Sequence, residues 1–294
     1  GWIRDRVSSI DPTESLAVTG PLATALLVVG VVLTLVLLLS LLSVVWATVR
    51  YHGFTLRECG DDLRSEYGLL TRITATIPRH RIQSLTIRSG PLQRWFGRRA
   101  VQIETAGHRG GEEGQGTDRL WLAPMIDADK VEGLLHHVLP KVDLASARWR
   151  PIARRAWKRI VKRGIFLALV SSAGIWALAG PKALTVFVVG VVLAAVHAKL
   201  YVKYAQYAVT PEAVIYRSGW WSRKLSIVRF AKIQVLAMEE TPFDRWNRMA
   251  GVRVDTAGAG RVGHGVDIRY LDVSDAAAMM ERLVLETGLR PFRW

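Results

Sequence analysis

The chain repeats itself at an offset of 151 positions, and this repeat limits what it can fold into. Residues 68–107 align with residues 219–258 without a gap, and twelve of these 40 positions are identical. The identical pairs are Gly68/Gly219, Arg72/Arg223, Ile82/Ile233, Gln83/Gln234, Leu85/Leu236, Pro91/Pro242, Arg94/Arg245, Trp95/Trp246, Val101/Val252, Thr105/Thr256, Ala106/Ala257 and Gly107/Gly258. Unrelated segments share far fewer identities. The repeat predicts two copies of one structural unit.

Each copy follows a long apolar segment. Residues 15–49 contain no charged side chain, and two further uncharged stretches occupy 164–181 and 183–198. A helix needs roughly 20 apolar residues to cross a membrane, and the first segment exceeds that length. The two shorter segments are separated by a turn at 179–182, so we interpret them as a helical hairpin. The sequence therefore predicts an integral membrane protein, and the alternative for the hairpin is two buried helices of a soluble domain.

Lysine and arginine residues near the apolar segments predict the orientation of the chain. Residues 1–19 carry only Arg4 and Arg6, whereas 141–163 carry nine basic residues. Because positively charged loops stay in the cytoplasm, we expect both repeated units on the cytoplasmic side. The single cysteine, Cys59, excludes an intrachain disulfide, as expected in reducing cytoplasm. The chain begins with Gly1 instead of Met, so we also expect an upstream segment with a partner for the first span.

Each repeated unit is predicted to contain short strands followed by one helix. Apolar and polar side chains alternate most clearly in 101–105 and in its counterpart 252–256. The expected strands of the first copy are 54–57, 63–67, 73–77, 84–88, 101–105 and 120–122. This pattern predicts a small antiparallel β-sandwich or barrel with a helix covering its apolar end.

The closing helices have recognisable first and last residues. Asp127 or Asp129 can cap the first helix, which Pro140 ends, and Ser274 can cap the second, which Gly288 ends. The apolar faces are expected to consist of Val131, Leu134, Leu135 and Val138 in the first helix, and of Ala277, Met280, Leu283 and Val284 in the second.

Several motifs give the chain a family resemblance. In order, they are Tyr51-His52-Gly53-Phe54, Tyr67-Gly68-Leu69-Leu70-Thr71-Arg72, Arg81-Ile82-Gln83-Ser84, Leu92-Gln93-Arg94-Trp95-Phe96-Gly97 and Glu104-Thr105-Ala106-Gly107. The chain thus resembles the bacterial pleckstrin-homology-like (PH-like) membrane proteins of the YdbS/YdbT type, whose tandem domains follow transmembrane segments. The resemblance implies a PH-like fold of two packed antiparallel sheets capped by a C-terminal helix. It also implies that the protein is located in the cytoplasmic membrane of a bacterium, and it does not imply that the protein catalyses a particular reaction.

Together, these observations predict the order of segments along the chain. An external segment at 1–20 precedes a transmembrane helix at 21–49, a first PH-like domain at 50–140 and a basic juxtamembrane linker at 141–163. Two transmembrane helices at 164–180 and 183–200 follow, and a second PH-like domain occupies 201–294. The fold class is therefore membrane α-helices plus two small β domains, each a PH-like antiparallel β-sandwich capped by a C-terminal helix.

The basic linker is the strongest sign of a binding surface. Half of the 16 residues in 148–163 are basic, and Trp149, Ile152, Ala156 and Ile160 recur at helical spacing. An amphipathic helix of this kind can lie among anionic headgroups, where each basic residue contributes about 1 kcal/mol. The alternative is an anchor that only fixes topology, and both roles can coexist. The predicted lipid contacts are Arg148, Arg150, Arg154, Arg155, Lys158, Arg159, Lys162 and Arg163.

A second candidate is the repeated Pro-x-x-Arg-Trp motif. Arg94 and Trp95 in the first copy, and Arg245 and Trp246 in the second, can hold a phosphate beside an aromatic ring. Alternatively, Trp fills the end of the barrel while Arg caps a carbonyl group or pairs with Glu104 or Asp255.

The basic residue before the Ile-Gln pair of each repeat is a weaker candidate for lipid contact. These residues are Arg81 and Lys232. In the alternative interpretation, the Ile residues belong to the core and the Gln residues link strands.

Several other functions are excluded by the sequence. The Gly-x-Gly-x-x-Gly match at 258–263 is followed by an expected strand, whereas a dinucleotide site needs a helix there. His136 and His137 have no second pair of ligands at metal spacing, and Cys59 has no catalytic partners. The first hairpins are acidic, which disfavours inositol phosphates. We therefore expect no metal and no small-molecule cofactor. We also expect no nucleic acid partner, because much of the net charge of +15 lies near the apolar segments, where a membrane surface explains it better.

The sequence analysis thus favours a non-catalytic protein that binds or scaffolds at the inner membrane surface. The expected partners are anionic lipid and either a second copy of the chain or a smaller PH-like membrane protein. The competing hypothesis is an accessory subunit of an export, envelope-stress or resistance complex, in which the spans bind a transporter. Small residues such as Gly174 and Gly190 permit such helix packing but do not specify it.

Overall fold

A computed structural model describes residues 21–106, 119–257 and 265–288. The predicted external segment 1–20 and the loops expected at 110–114 and 258–263 lie outside these ranges. The chain divides into two compact units, one of residues 1–55 and 65–75 and one of residues 56–64 and 76–294.

The first unit contains the N-terminal helix α1 (Pro21–Tyr51). Its segment Leu27–Tyr51 is long and apolar enough to cross a membrane, and none of its most apolar stretch is buried by protein. The end of α1 is tied to the chain that follows it, because Gly68 N donates to His52 O and Leu69 N donates to Val49 O, both at 3.0 Å.

The strands agree with the pattern read from the sequence. In the first copy they are β1 (Thr55–Cys59), β2 (Asp62–Tyr67), β3 (Ile73–Pro78), β4 (Ile82–Ser89), β5 (Arg98–Thr105) and β6 (Arg119–Asp127). The linker contains β7 (Arg150–Pro151), and the second copy contains β8 (Gln206–Val209), β9 (Ala213–Ser218), β10 (Arg223–Arg229), β11 (Ile233–Glu239), β12 (Met249–Thr256) and β13 (Val266–Asp272).

The helices follow the same repeated order. A short turn of helix, α2 (Pro91–Trp95), and a closing helix, α3 (Lys130–Val138), belong to the first copy. The hairpin consists of α4 (Ala156–Ala179) and α5 (Ala183–Tyr204). The second copy contains α6 (Pro242–Trp246) and the closing helix α7 (Val273–Gly288).

One seven-stranded antiparallel sheet joins the two copies. Its order is β6-β5-β4-β10-β9-β8-β7, so strands of the first copy end at β4 and strands of the second copy begin at β10. At this seam Leu85 pairs with Ile227, and Thr86 and Ser226 share a buried hydrogen bond of 3.3 Å. Arg229 also donates from Nη2 to the carbonyl of Ile82 at 2.9 Å. A second antiparallel sheet has the order β11-β12-β13.

The strands β8–β10 lie between two hydrophobic cores. One face of these strands contributes Ala208, Ile215 and Ile227 to a core that also contains Leu85 and Val101 of the first copy. The opposite face contributes Tyr207, Val214 and Val228 to a core with β11–β13 and α7. Because successive side chains of a strand point to opposite faces, both faces of these strands have to be apolar.

The hairpin α4–α5 is closely packed. A side chain at Gly164 would lie 2.4 Å from Ala194 Cβ, and one at Gly190 would lie 2.8 Å from Ala168 Cβ. The small residues therefore let the two helices approach each other. The segment Gly180–Tyr204 is the second stretch that is long and apolar enough to cross a membrane, by its length and composition.

The structure repeats a tight turn that explains one identity of the alignment. Gly68 and Gly219 have φ angles of +113° and +82°. A Cβ atom at these positions would lie 2.0 Å from Thr71 O and 2.1 Å from Ser222 O. Only glycine fits both the left-handed backbone and the space, so this residue is required by the scaffold in each copy.

Three sequence-based expectations are wrong in detail. Ser274 lies within α7, which begins at Val273, so it does not cap this helix. The amphipathic helix expected over 148–163 exists only from Ala156 onward, because β7 pairs with β8 and residues 152–155 connect it to α4. Ile152 is buried in the second core and does not lie on a helix face. In α7 the buried residues are Ala276, Met279 and Leu283, whereas Val284 is 53% exposed.

The shared sheet predicts that damage in β10 reaches the first copy. Ile227 is 1% exposed, and replacing it by alanine is expected to cost about 2–4 kcal/mol of stability through lost burial and a cavity. Hydrogen–deuterium exchange of the full chain in detergent should then be faster in β5 as well as in β10. Val235→Ala is the control, because Val235 is 53% exposed on β11. Unchanged protection of β5 in Ile227→Ala would contradict the coupling.

Candidate functional site

The first Pro-x-x-Arg-Trp motif forms α2 and uses its arginine to hold a turn of the second copy. Arg94 Nη1 donates to the carbonyl of Trp220 and Arg94 Nη2 to that of Trp221, each at 3.0 Å. A planar guanidinium can bridge two successive carbonyl groups in this way. Of the alternatives left open by the sequence, carbonyl capping is therefore observed for Arg94, and pairing with Glu104 is not.

The second motif forms α6 and is fixed by different contacts. Asp244 accepts hydrogen bonds from Thr241 N at 3.1 Å and from Thr241 Oγ1 at 2.7 Å, while Thr241 Oγ1 accepts from Asp244 N. This reciprocal arrangement is a capping box. The side chain of Arg245 is exposed, so the two arginines of the repeated motif have different environments.

Both turns expose their aromatic side chains. Trp95 is 82% exposed and Trp246 is 85% exposed. Trp95 stacks on Phe96 with ring centroids 5.9 Å apart, and Trp246 meets Phe243 edge to face at 6.3 Å. The tryptophans therefore do not fill the ends of the β domains, which corrects that alternative. Apolar side chains that cluster on a surface mark contacts with another phase or partner, whereas single exposed ones are normal.

Two contacts connect these turns to the helical hairpin. Trp220 Nε1 donates to His197 Nδ1 of α5 at 3.0 Å, and the turn that contains Trp220 is the one held by Arg94. On the other side, Arg159 of α4 forms an ion pair with Asp244 of α6. The aromatic turns of both copies are therefore tied to the end of the hairpin where α4 begins and α5 ends.

The basic linker divides into paired and exposed residues. Arg155 pairs with Asp272 and also donates to Arg248 O at 3.4 Å. The Arg159 guanidinium pairs with Asp244 and lies 5.3 Å from the centre of the Tyr270 ring. The side chains of the remaining predicted residues are exposed: Arg148, Arg150, Arg154, Lys158, Lys162 and Arg163.

The weaker pair of candidates differs in accessibility. Arg81 is exposed, whereas Lys232 is only 4% exposed. Burial and the nearby charge of Arg229 lower the pKa of Lys232. Ile82 and Ile233 are buried in the cores, as expected, but Gln83 donates to Arg81 O of its own segment at 3.2 Å. Lys232 is therefore too buried to contact lipid.

A cavity of about 620 Å³ lies between the hairpin and the second copy. Its lining carries charges of both signs, among them Arg163 and Arg269 against Glu239 and Asp267. Arg269 pairs with Asp267 at 2.6 Å, and this hydrogen bond raises the pKa of Arg269. The charges of this cavity are thus largely balanced by one another.

A second cleft, of about 420 Å³, lies at the seam between the copies. It brings Arg94 together with basic residues that the sequence analysis did not connect, namely Arg99, Lys203, Arg217, Arg223 and Lys224. These residues come from β5, the end of α5, β9 and β10, so their proximity depends on the pairing of β4 with β10. Within residues 21–106, 119–257 and 265–288, no group of His, Cys, Asp or Glu side chains has the arrangement of a metal site.

Replacing Arg94 by lysine tests whether the arginine holds the turn or only supplies charge. Lysine keeps the positive charge but cannot bridge the carbonyl groups of Trp220 and Trp221. Loss of hydrogen bonds to a charged group should speed exchange of the amides in 219–222 by roughly tenfold. Arg245→Lys is the matched control, because the Arg245 side chain makes no comparable contact in the described part of the chain. Wild-type exchange in Arg94→Lys would contradict the positioning role.

Comparisons with known proteins place this architecture in a family. The model of the bacterial PH domain matches residues 17–142 and again residues 164–286. The transmembrane protein YdbT of Bacillus subtilis (strain 168) is 28% identical over 127 residues, which are 43% of this chain and 25% of that protein. No solved structure matches the chain. Since the family model covers both copies and most of their length, the chain belongs to the bacterial PH domain family.

Proposed function

We propose that this chain is a multipass protein of the bacterial cytoplasmic membrane whose two PH-like domains bind anionic lipid at the inner surface. In this proposal α1 and the hairpin α4–α5 cross the bilayer, and the β domains lie on the cytoplasmic side. The chain acts as a binding or scaffolding module and not as a catalyst. The similarity to a protein named as transmembrane supports the membrane assignment.

The exposed aromatic turns carry the proposal. Trp95 and Trp246 are more than four-fifths exposed, and each turn is tied to the end of the hairpin. Arg159, which pairs with α6, lies five residues before the predicted span, or about 7.5 Å along the helix. Tryptophan is favoured at the boundary between hydrocarbon and water. The turns are therefore expected to contact the headgroup region beside the hairpin.

The exposed basic residues provide the second part of the proposed surface. Arg154, Lys158 and Lys162 are exposed around the start of α4, and Arg245 is exposed beside Trp246. Basic side chains near an anionic membrane each contribute about 1 kcal/mol of attraction. Because this attraction acts at the same level as the aromatic turns, both effects would hold the β domains against the bilayer.

The position of the turns can be measured with spin labels. In a Cys59→Ser background, the label is attached to Trp95→Cys or to Trp246→Cys. The full chain is reconstituted in bilayers of phosphatidylcholine with phosphatidylglycerol. Power saturation should give both labels more contact with oxygen and less with a water-soluble nickel chelate than a label at the surface of a soluble domain. The reason is that oxygen is enriched within the bilayer and the chelate is excluded from it.

Leu285→Cys supplies the control for this experiment. Leu285 is 60% exposed on α7, so it matches the tryptophans in being an exposed apolar residue outside the two turns. Equal access of the nickel chelate to the labels at 95, 246 and 285 would contradict the proposed contact with the bilayer.

The orientation has its own test, because Cys59 is the only cysteine and is exposed. A membrane-impermeant maleimide should label Cys59 in inverted membrane vesicles and leave it unlabelled in intact spheroplasts. Detergent-permeabilised spheroplasts are the control for reactivity of the thiol. Labelling in intact spheroplasts would place the first domain outside the cell and contradict the proposed orientation.

A further inference from the structure

The cleft at the seam has an unbalanced positive charge. Its lining contains six basic residues and no acidic residue. The side chains of Arg99, Lys203, Arg217 and Arg223 are exposed, and none of these four forms an ion pair with another described residue. The cavity beside the hairpin, in contrast, has acidic partners in its lining. The seam cleft is therefore suited to an anion supplied from outside the chain.

The register of the strands places the main cations on one face of the sheet. Arg223 pairs with Ser89 across the seam, and two residues further along β10, Leu225 pairs with Arg217. Residues directly opposite each other in neighbouring strands share a face, and so do residues two apart in one strand. Arg217 and Arg223 thus face the same cleft, and Ser89 of β4 lies opposite Arg223 across the seam.

Aromatic rings support both arginines. The Arg217 guanidinium lies 4.2 Å from the centre of the Trp149 ring, and it donates to Gln206 Oε1. The Arg223 guanidinium lies 5.1 Å from the centre of the Tyr204 ring. Stacking restricts a guanidinium while leaving N–H groups at its edge for an acceptor. Burial and, secondarily, the charge of Arg223 lower the pKa of Arg217, as expected for like charges brought together.

Comparison of the two copies shows that this charge is particular to the second. Arg223 corresponds to Arg72, and Arg217 corresponds to Glu66, at the common offset of the repeat. In the first copy Arg72 and Glu66 form an ion pair of 2.6 Å. In the second copy the same two positions of the hairpin are both cationic, and the neutralising carboxylate is missing. The scaffold of the fold therefore does not require the cluster.

We propose that the seam cleft binds a phosphate monoester or pyrophosphate group, with Arg217 and Arg223 as its main ligands and Arg99 and Lys203 around it. Arginine binds phosphate oxygens through two parallel N–H donors, and a doubly charged phosphate offers enough acceptors for several cations. The group can belong to a membrane lipid, because Lys203 and Tyr204 end α5, or to a soluble phosphate compound. This inference rests on the proposed function and deepens it, since it names a ligand class and a site whose four proposed ligands lie outside the aromatic turns.

Isothermal titration calorimetry of the full chain in dodecyl maltoside tests the inference with three probes: inorganic pyrophosphate, dihexanoyl phosphatidic acid and dihexanoyl phosphatidylcholine. The first two should bind and the third should not. The double variant Arg217→Gln/Arg223→Gln should raise their Kd by about tenfold or more, because each arginine contributes charge-assisted hydrogen bonds. Arg99→Gln/Lys203→Gln is a second cleft variant and should also weaken binding.

Arg57→Gln/Arg282→Gln is the control, because it removes the same charge from exposed residues outside the cleft. Tighter binding of phosphatidic acid than of pyrophosphate would identify a lipid headgroup as the source, and similar or weaker binding would identify a soluble phosphate compound. Both results support the phosphate site. Absence of binding, or equal losses in the cleft and control variants, would overturn it.

The two proposals fail separately. If the spin labels at 95 and 246 contact the bilayer but neither phosphate probe binds, only the cleft inference is wrong. If pyrophosphate binds through Arg217 and Arg223 while the labels stay in water, only the proposed bilayer contact is wrong.

Discussion

The pairing of β4 with β10 is the contact on which the rest of the β structure depends. It joins strands of the two sequence repeats in one seven-stranded sheet, and it gives β8–β10 a hydrophobic core on each face. The core of the first copy contains Ile215 and Ile227 of the second, so the first copy cannot bury its apolar residues completely by itself. An unpaired β4 edge would also expose a row of backbone donors and acceptors, which favours aggregation.

The same seam assembles features that neither copy contains alone. Arg94 of the first copy reaches the carbonyl groups of Trp220 and Trp221, and the basic cleft combines Arg99 with Arg217. The strands β5 and β9 position Arg99 and Arg217 more accurately than loops would. The tandem arrangement therefore supplies a surface as well as a second copy of the fold.

Features set by local pattern could be predicted from the sequence, and features set by distant contacts could not. The alternation in 101–105 acts through its own backbone, and the strand expected there is observed. Ile152 follows helical spacing but is buried beside β8, where hydrogen bonds of β7 override the pattern. The seam pairing leaves no local trace, so Arg217 and Arg223 could have been noticed only by comparing charges at equivalent positions of the repeats.

The divergence of these positions explains how a charged cleft can persist in a stable protein. In the first copy Glu66 neutralises Arg72, whereas Arg217 and Arg223 in the second copy repel each other. For exposed groups in water this repulsion is only about 1 kcal/mol at about 4 Å, which two hydrophobic cores easily offset. Because the cations stay in contact with solvent, an anion can enter and leave without unfolding the sheet. The arrangement is thus suited to reversible occupancy, while the buried seam beneath it keeps the site in place.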